Sequence, residues 1–130
     1  MRRYLGSATI YRVPPTPTWP PQWLRGVLEL AVLAVVDREE TYGYRIGADL
    51  EEAGFGAVKG GTLYPLLARL EEDGAVSATW RESDSGPGRK WYRTTPVGRA
   101  RLADQSTAWR AFARLTTDLL PDPVPTGGPS

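Results

Sequence analysis

The residues best supplied for chemistry in this 130-residue chain are cations. Arg81, Arg89, Lys90, Arg93, Arg99 and Arg101 crowd into residues 81–101 against Glu82 and Asp84, a local balance of +4 in a chain of net charge +1. Such a cluster neutralises phosphates and gives affinity for a polyanion without reading its sequence. Residues 1–20 add Arg2, Arg3 and Arg12 with no acid, whereas residues 21–80 set Arg25, Arg38, Arg45, Lys59 and Arg69 against ten acids. Catalytic groups are scarce by comparison. Cysteine and histidine are both absent, which excludes thiol nucleophiles, disulfides, thiolate and imidazole metal sites, imidazole bases and a simple imidazole pH switch. There is no G-x-S-x-G elbow and no phosphate-binding glycine loop. Asp and Glu fall on helix ends and turns rather than converging as an acid/base pair. The expectation is a protein that is not an enzyme, with no catalytic residue, no metal and no cofactor.

The elements that must position these cations follow from periodicity. Pro14, Pro15, Pro17 and Pro20 interrupt residues 1–20, which read as a flexible proline-rich arm. Its arginines fit a minor-groove arm, although an unstructured leader, or a start assigned too far upstream, is the plainer reading. Residues 121–130, rich in Pro and Gly, read as a disordered tail. Between them, Pro21 suits the first turn of a helix running to about Val36, with Trp23, Leu24, Val27, Leu28, Ala31 and Val35 on its core face. Its apolar run from Val27 to Val36 is too short to span a bilayer. With no signal peptide in view, a cytoplasmic location is expected and no membrane partner. Tyr42, Ile46, Leu50 and Ala53 form a second helical stripe closed by Gly54. Leu63, Leu66, Leu67 and Leu70 form a third, starting near Gly61, with Pro65 early enough that its missing N–H costs little.

After Gly74 the period changes from 3.6 to 2. Val76, Ala78 and Trp80 alternate with polar residues, the cluster from Ser83 to Gly88 reads as a turn, and Arg89 to Thr94 as a returning strand. Thr95-Pro96 then starts a final helix, with Thr as N-cap, to about Leu120. The expected fold is mainly α with a two-stranded β wing, a winged helix-turn-helix over residues 21–95, followed by a C-terminal helix over 96–120. In that layout the third helix enters the DNA major groove and the hairpin rides on the neighbouring backbone. The leucines of the third helix face one way. Gly61, Pro65, Ala68 and Glu72 face the other, with Thr62 and Arg69 on one flank and Tyr64 on the opposite flank.

Thr41-Tyr42-Gly43-Tyr44-Arg45-Ile46, Gly61-Thr62-Leu63-Tyr64-Pro65-Leu66-Leu67 with Leu70-Glu71, and Gly88-Arg89-Lys90-Trp91-Tyr92-Arg93-Thr94-Thr95 with Gly98-Arg99 resemble the PadR family of bacterial transcriptional regulators. The resemblance spans about residues 24–100, and the G-T-L-Y-P segment is specific for its length. Two departures stand out: Tyr42, where the family commonly has His, and the long proline-rich arm. The resemblance implies a homodimeric repressor that binds a palindromic operator and is released by an effector. It implies DNA-facing residues Lys59, Gly61, Thr62 and Tyr64 on the third helix, and phosphate contacts from Tyr44, Arg89 and Lys90. It also implies that the last helix pairs with the first helix of a second copy. The stripe Leu102, Gln105, Trp109, Phe112, Thr116, Leu119 steps 3-4-3-4-3, a short heptad-like seam to which Trp23 and Leu24 add burial.

Each assignment has a plainer counterpart. Arg89 and Lys90 fit an ordinary solvated hairpin tip, but following a G-T-L-Y-P helix the phosphate reading is the better one. Tyr64 can cover the core edge while its phenol donates to phosphate. Thr62 serves either free helix N–H groups or DNA. Trp109 is read first as packing, and second as a stacking surface for a small aromatic effector, as in some PadR-like regulators. The alternative for the whole chain is a winged-helix protein–protein docking module without DNA binding, because the outer face of the third helix is only weakly basic.

Overall fold

The computed structural model describes residues 18–124. Expectations about residues 1–17, including Arg2, Arg3 and Arg12, and about 125–130 lie outside the described residues. The first helix, α1 (Pro21–Arg38), has proline at its first position, where the ring's fixed φ is already helical. It buries Leu28, Val32, Leu33, Val35 and Val36 and runs two residues past Val36 to Arg38, a cation suited to a helix C-terminus. A short strand, β1 (Thr41–Tyr42), leads into α2 (Gly43–Leu50), a wide turn over Glu51–Phe55, and α3 (Gly60–Glu72). The wing is β2 (Val76–Ser83) and β3 (Gly86–Thr94), and α4 (Pro96–Leu119) completes the order.

The sheet corrects the expected two-stranded wing: it has three antiparallel strands in the order β1-β3-β2. Thr41 pairs with Tyr92 and Tyr42 with Trp91. Two residues are too few to show alternation, and their partners lie some fifty positions on. For the same reason Tyr42 belongs to the strand and not to the second helical stripe. Ala53 also leaves that stripe. It is exposed on the wide turn, where Gly54 at φ 109° takes the backbone into a region that favours glycine, and the ring of Phe55 packs against the core instead. The wing strands extend into the expected turn cluster, leaving only Asp84 and Ser85 between them. Gly88 permits this, since a Cβ there would stand 2.8 Å from the Arg81 carbonyl oxygen, beside the irregularity between Arg81 and Ser83.

One core joins the first three helices to the sheet. Val32, Leu33 and Val36 of α1 meet Ile46 and Leu50 of α2, Leu67 and Leu70 of α3, and Val76 of β2. The leucine stripe of α3 is buried as its spacing requires. Thr41 is buried too, and its hydroxyl has no hydrogen-bond partner.

α4 is attached at its start and little elsewhere. Thr95 caps it by accepting from the Gly98 N–H (3.0 Å), while its own hydroxyl donates to the Gly74 carbonyl (2.6 Å) in the turn that ends α3. Gly98 is the one α4 residue that is fully buried, and a Cβ there would overlap the Ala75 carbonyl oxygen. Arg101 reaches Asp73 (3.2 Å) and Glu29 (3.8 Å), and Glu29 also holds Arg69 (3.2 Å), so α1, α3 and α4 share one ion-pair network. Leu102 packs against the core, and beyond it the apolar side chains of α4 stand in the open. Among the described residues, no helix is long and apolar enough to cross a membrane, and no cluster of acids could hold a metal ion.

Candidate nucleic-acid interface

The starts of α2 and α3 form one surface, and Tyr64 makes the joint. A Cβ on Gly43 would fall 2.5 Å from the Tyr64 phenol oxygen and 2.7 Å from its ring, and one on Gly60 would fall 3.3 Å from the same ring. Glycine at both places lets the ring lie flat across the first residue of each helix. The phenol oxygen is thereby presented at the start of α2 while the side chain stays 53% exposed. Tyr44, one residue further along α2, is 81% exposed. No side chain among the described residues caps either helix: Tyr42 and Lys59 occupy the cap positions without bonding the free N–H groups. Those N–H groups and the positive ends of both helix dipoles are therefore available to an anion. Pro65 is the sixth residue of α3, deeper than the first turn, so it withholds an N–H from the carbonyl of Gly61 on the exposed face.

The wing stands across from this surface. Tyr44, Tyr64, Trp80, Arg89 and Lys90 line an open cleft of about 820 Å³ between α3 and the hairpin. The cations there are held in different ways. The Arg89 guanidinium lies 4.3 Å from the centre of the Tyr42 ring, and Tyr42 meets Trp91 edge-on at 4.9 Å. Arg81 stacks on the other wing aromatic, 4.8 Å from the Trp91 ring, and pairs with Glu40 at 2.6 Å. Lys90 pairs with Glu71 of α3 at 3.0 Å, and that hydrogen bond raises the ammonium above its ordinary pKa. Burial pushes the neighbouring Tyr92 phenol up as well, so it is neutral at physiological pH. Among the described residues Arg89, Arg93 and Arg99 have no carboxylate within ion-pair distance, whereas Arg81, Lys90 and Arg101 do.

Four of the expected residues, Tyr44, Tyr64, Arg89 and Lys90, thus share the cleft. Lys59 and Thr62 lie around the corner, in a hollow against Pro21, Leu24 and Arg25 of α1, and Gly61 is exposed on the first turn of α3. Sequence reasoning missed Trp80, 72% exposed at the mouth of the cleft, and Glu71 as the partner of Lys90. It also missed the fit of Gly43 to Tyr64, although each lies in one of the conspicuous sequence motifs, T-Y-G-Y-R-I and G-T-L-Y-P. On the opposite side, Trp109 and Phe112 contact each other with ring centres 5.9 Å apart. They line a groove of about 420 Å³ with Arg25, Glu29 and Leu30 of α1. Phe112 is 60% and Leu119 87% exposed, as is most of Trp23. Leu115, which the 3-4-3-4-3 seam passed over, is equally open.

Comparison with known proteins bears on this geometry. Residues 32–104 match the model of the transcriptional regulator PadR-like family. A transcriptional regulator of Mycobacterium tuberculosis, Rv3488, is 37% identical over 93 residues, covering 72% of this chain and 85% of that protein. The crystal structure of a PadR-like transcriptional regulator from Bacillus cereus superposes with a TM-score of 0.69 at 35% identity, covering 78% of this chain and 98% of that one. A PadR family regulator from Eggerthella lenta gives 0.70 at 33% identity, covering 76% and 86%. This chain therefore carries residues beyond the shared fold, and by sequence and architecture alike it belongs to the PadR-like family of transcriptional regulators.

Proposed function

We propose that the chain is a cytoplasmic, homodimeric repressor that binds a palindromic operator through the cleft between α3 and the wing. One observation carries the reading: the ring of Tyr64, seated over Gly43 and Gly60, joins two uncapped helix starts into an anion-facing surface opposite Arg89. α3 enters the major groove with Gly61 and Thr62 against the bases, their small size letting the backbone approach closely. Lys59, Tyr44, Tyr64, Arg89 and Lys90 hold phosphates. The open apolar stripe of α4, with Trp23 and Leu24 of a second copy, supports pairing that sets two α3 helices about one turn of DNA apart. Trp109 packs in that seam. A second role for it, stacking a small aromatic effector that shifts the tilt of the two helices, is favoured by the groove it shares with α1.

Anisotropy titration of duplexes enriched from a random pool, at two salt concentrations, tests the proposal. The expected result is a palindrome whose affinity falls steeply with salt, by a slope of about 0.9 per phosphate neutralised. Arg89→Ala is expected to lower affinity more than Lys90→Ala, because Lys90 must first leave Glu71. Failure to enrich any sequence, with weak salt-insensitive binding, sinks the proposal. It would favour a protein-docking module, a reading supported by the few cations on the outer face of α3.

A further inference from the structure

The two tryptophans of the wing are housed differently. Trp91 of β3 meets the Tyr42 ring edge-on at 4.9 Å and carries the Arg81 guanidinium 4.8 Å from its centre. Trp80 of β2 is exposed, and among the described residues no ring or cation stacks on it. Side chains alternate between the faces of a strand. Trp80 therefore shares its face with Val76 and Ala78, which reach the core, and with Lys90 and Tyr92 of β3. It prolongs that face past the end of the core. Lys90, directly across the hairpin from Trp80, pairs with Glu71 of α3 at 3.0 Å, so the indole stands on a wing braced against the helix at its own level. A lone exposed apolar side chain is ordinary. Trp80 is not alone: the exposed Tyr44 and Tyr64 line the same cleft, together with Arg89 and Lys90, and none of the lining residues is acidic. Such a lining suits a polyanion that carries apolar surface between its charges.

We propose that Trp80 is the apolar DNA contact of the wing: its indole packs on the deoxyribose next to the phosphates held by Arg89 and Lys90. The inference rests on the DNA-binding reading above. A DNA strand alternates charged phosphate with a largely apolar sugar. The wing alternates in the same way, because the Cβ atoms of directly paired residues such as Trp80 and Lys90 stand about 5 Å apart. Burial of an indole face contributes affinity through removal of apolar area from water, whereas each cation contributes through released counterions. Trp80 thus supplies a component of binding that salt does not weaken, and Arg89 and Lys90 supply the component that it does.

The full chain, Trp80→Ala, Trp80→Phe and Arg89→Ala are titrated against one mixed-sequence duplex over a range of salt, with thermal melting as the control for folding. Trp80→Ala is expected to weaken binding by about tenfold at every salt concentration, with an unchanged slope. Arg89→Ala instead makes the slope shallower by about 0.9. Trp80→Phe keeps a flat ring and is expected to retain most of the affinity while removing one of the five tryptophans. The quenching of tryptophan emission that the duplex causes in the full chain should then largely vanish. Should the alanine variant melt early, this comparison of emission decides alone. Equal binding by the full chain and a folded Trp80→Ala, a shallower slope for that variant, or quenching that survives Trp80→Phe overturns the inference and leaves the DNA-binding reading standing. Tighter binding and stronger quenching by a single strand of the same sequence would put the indole on a base, and overturns the sugar contact as well. If the full chain shows no salt-dependent binding to the duplex, both readings are overturned.

Discussion

The three-helix unit with its wing and the long α4 are built on opposite terms. From Leu28 to Tyr92 the apolar side chains close on one another, and Val32, Leu33, Ile46, Leu50, Leu67 and Leu70 are wholly or almost wholly removed from water. Along α4 only Gly98 is buried, and Phe112, Leu115 and Leu119 face solvent. A lone helix gains little from propensity and depends on packing. The winged unit therefore holds the buried core, while α4 presents apolar area that this chain leaves uncovered, the area the proposed pairing would bury. The chain is divided between a part whose apolar side chains close on one another and a part whose apolar side chains face water.

That division can be broken by substitution. Leu67→Ala, in the centre of the closed core, is expected to cost about 2–5 kcal/mol in urea unfolding; a cost below 1 would mean that the winged unit is not the seat of stability. Phe112→Asp puts a charge into the open stripe. It is expected to leave the secondary structure intact while weakening self-association by about a hundredfold in sedimentation equilibrium, the loss typical of a buried interface aromatic. A change in folding with no change in oligomeric state would contradict the division. Thr95→Ala acts at the junction, removing both the cap on Gly98 and the bond to Gly74, and should lower the melting free energy by about 1 kcal/mol. The smallest effect sharpens the picture from within the core. Thr41→Val deletes a buried hydroxyl that has no partner, and is expected to be neutral or stabilising by up to about 1 kcal/mol in the same unfolding experiment.

What sequence made legible were the features with a local period or a local partner. The leucine stripe of α3 and the Thr95 cap each lie within a few residues, so spacing alone finds them. The features it hid are pairings across the chain. β1 exists only because Thr41 and Tyr42 lie beside Tyr92 and Trp91. Ala53 has the spacing of a helical stripe, while the turn at Gly54 that takes it out of the stripe goes with the packing of Phe55 against a core drawn from distant elements. At the interface, the motifs containing Gly43 and Tyr64 were both visible, but not that one is shaped to receive the other. The charge cluster of residues 81–101 was visible as well. Its division into paired and unpaired cations was not, since Glu40, Glu71 and Glu29 arrive from distant elements.

The junction at Thr95 has a mechanical consequence. Its hydroxyl ties the first turn of α4 to Gly74 in the turn after α3, and Arg101 repeats the tie further along α4 through Asp73. A helix of 24 residues is about 36 Å long, and beyond Trp109 and Phe112, which share a groove with Arg25, Glu29 and Leu30 of α1, its last residues stand in the open. α4 therefore works as a crowbar with its fulcrum beside α3: a displacement of about 3 Å at the Leu119 end turns it by about 5° at that length. The ties at Gly74 and Asp73 couple that rotation to the end of α3, and the Arg101–Glu29 pair couples it to α1.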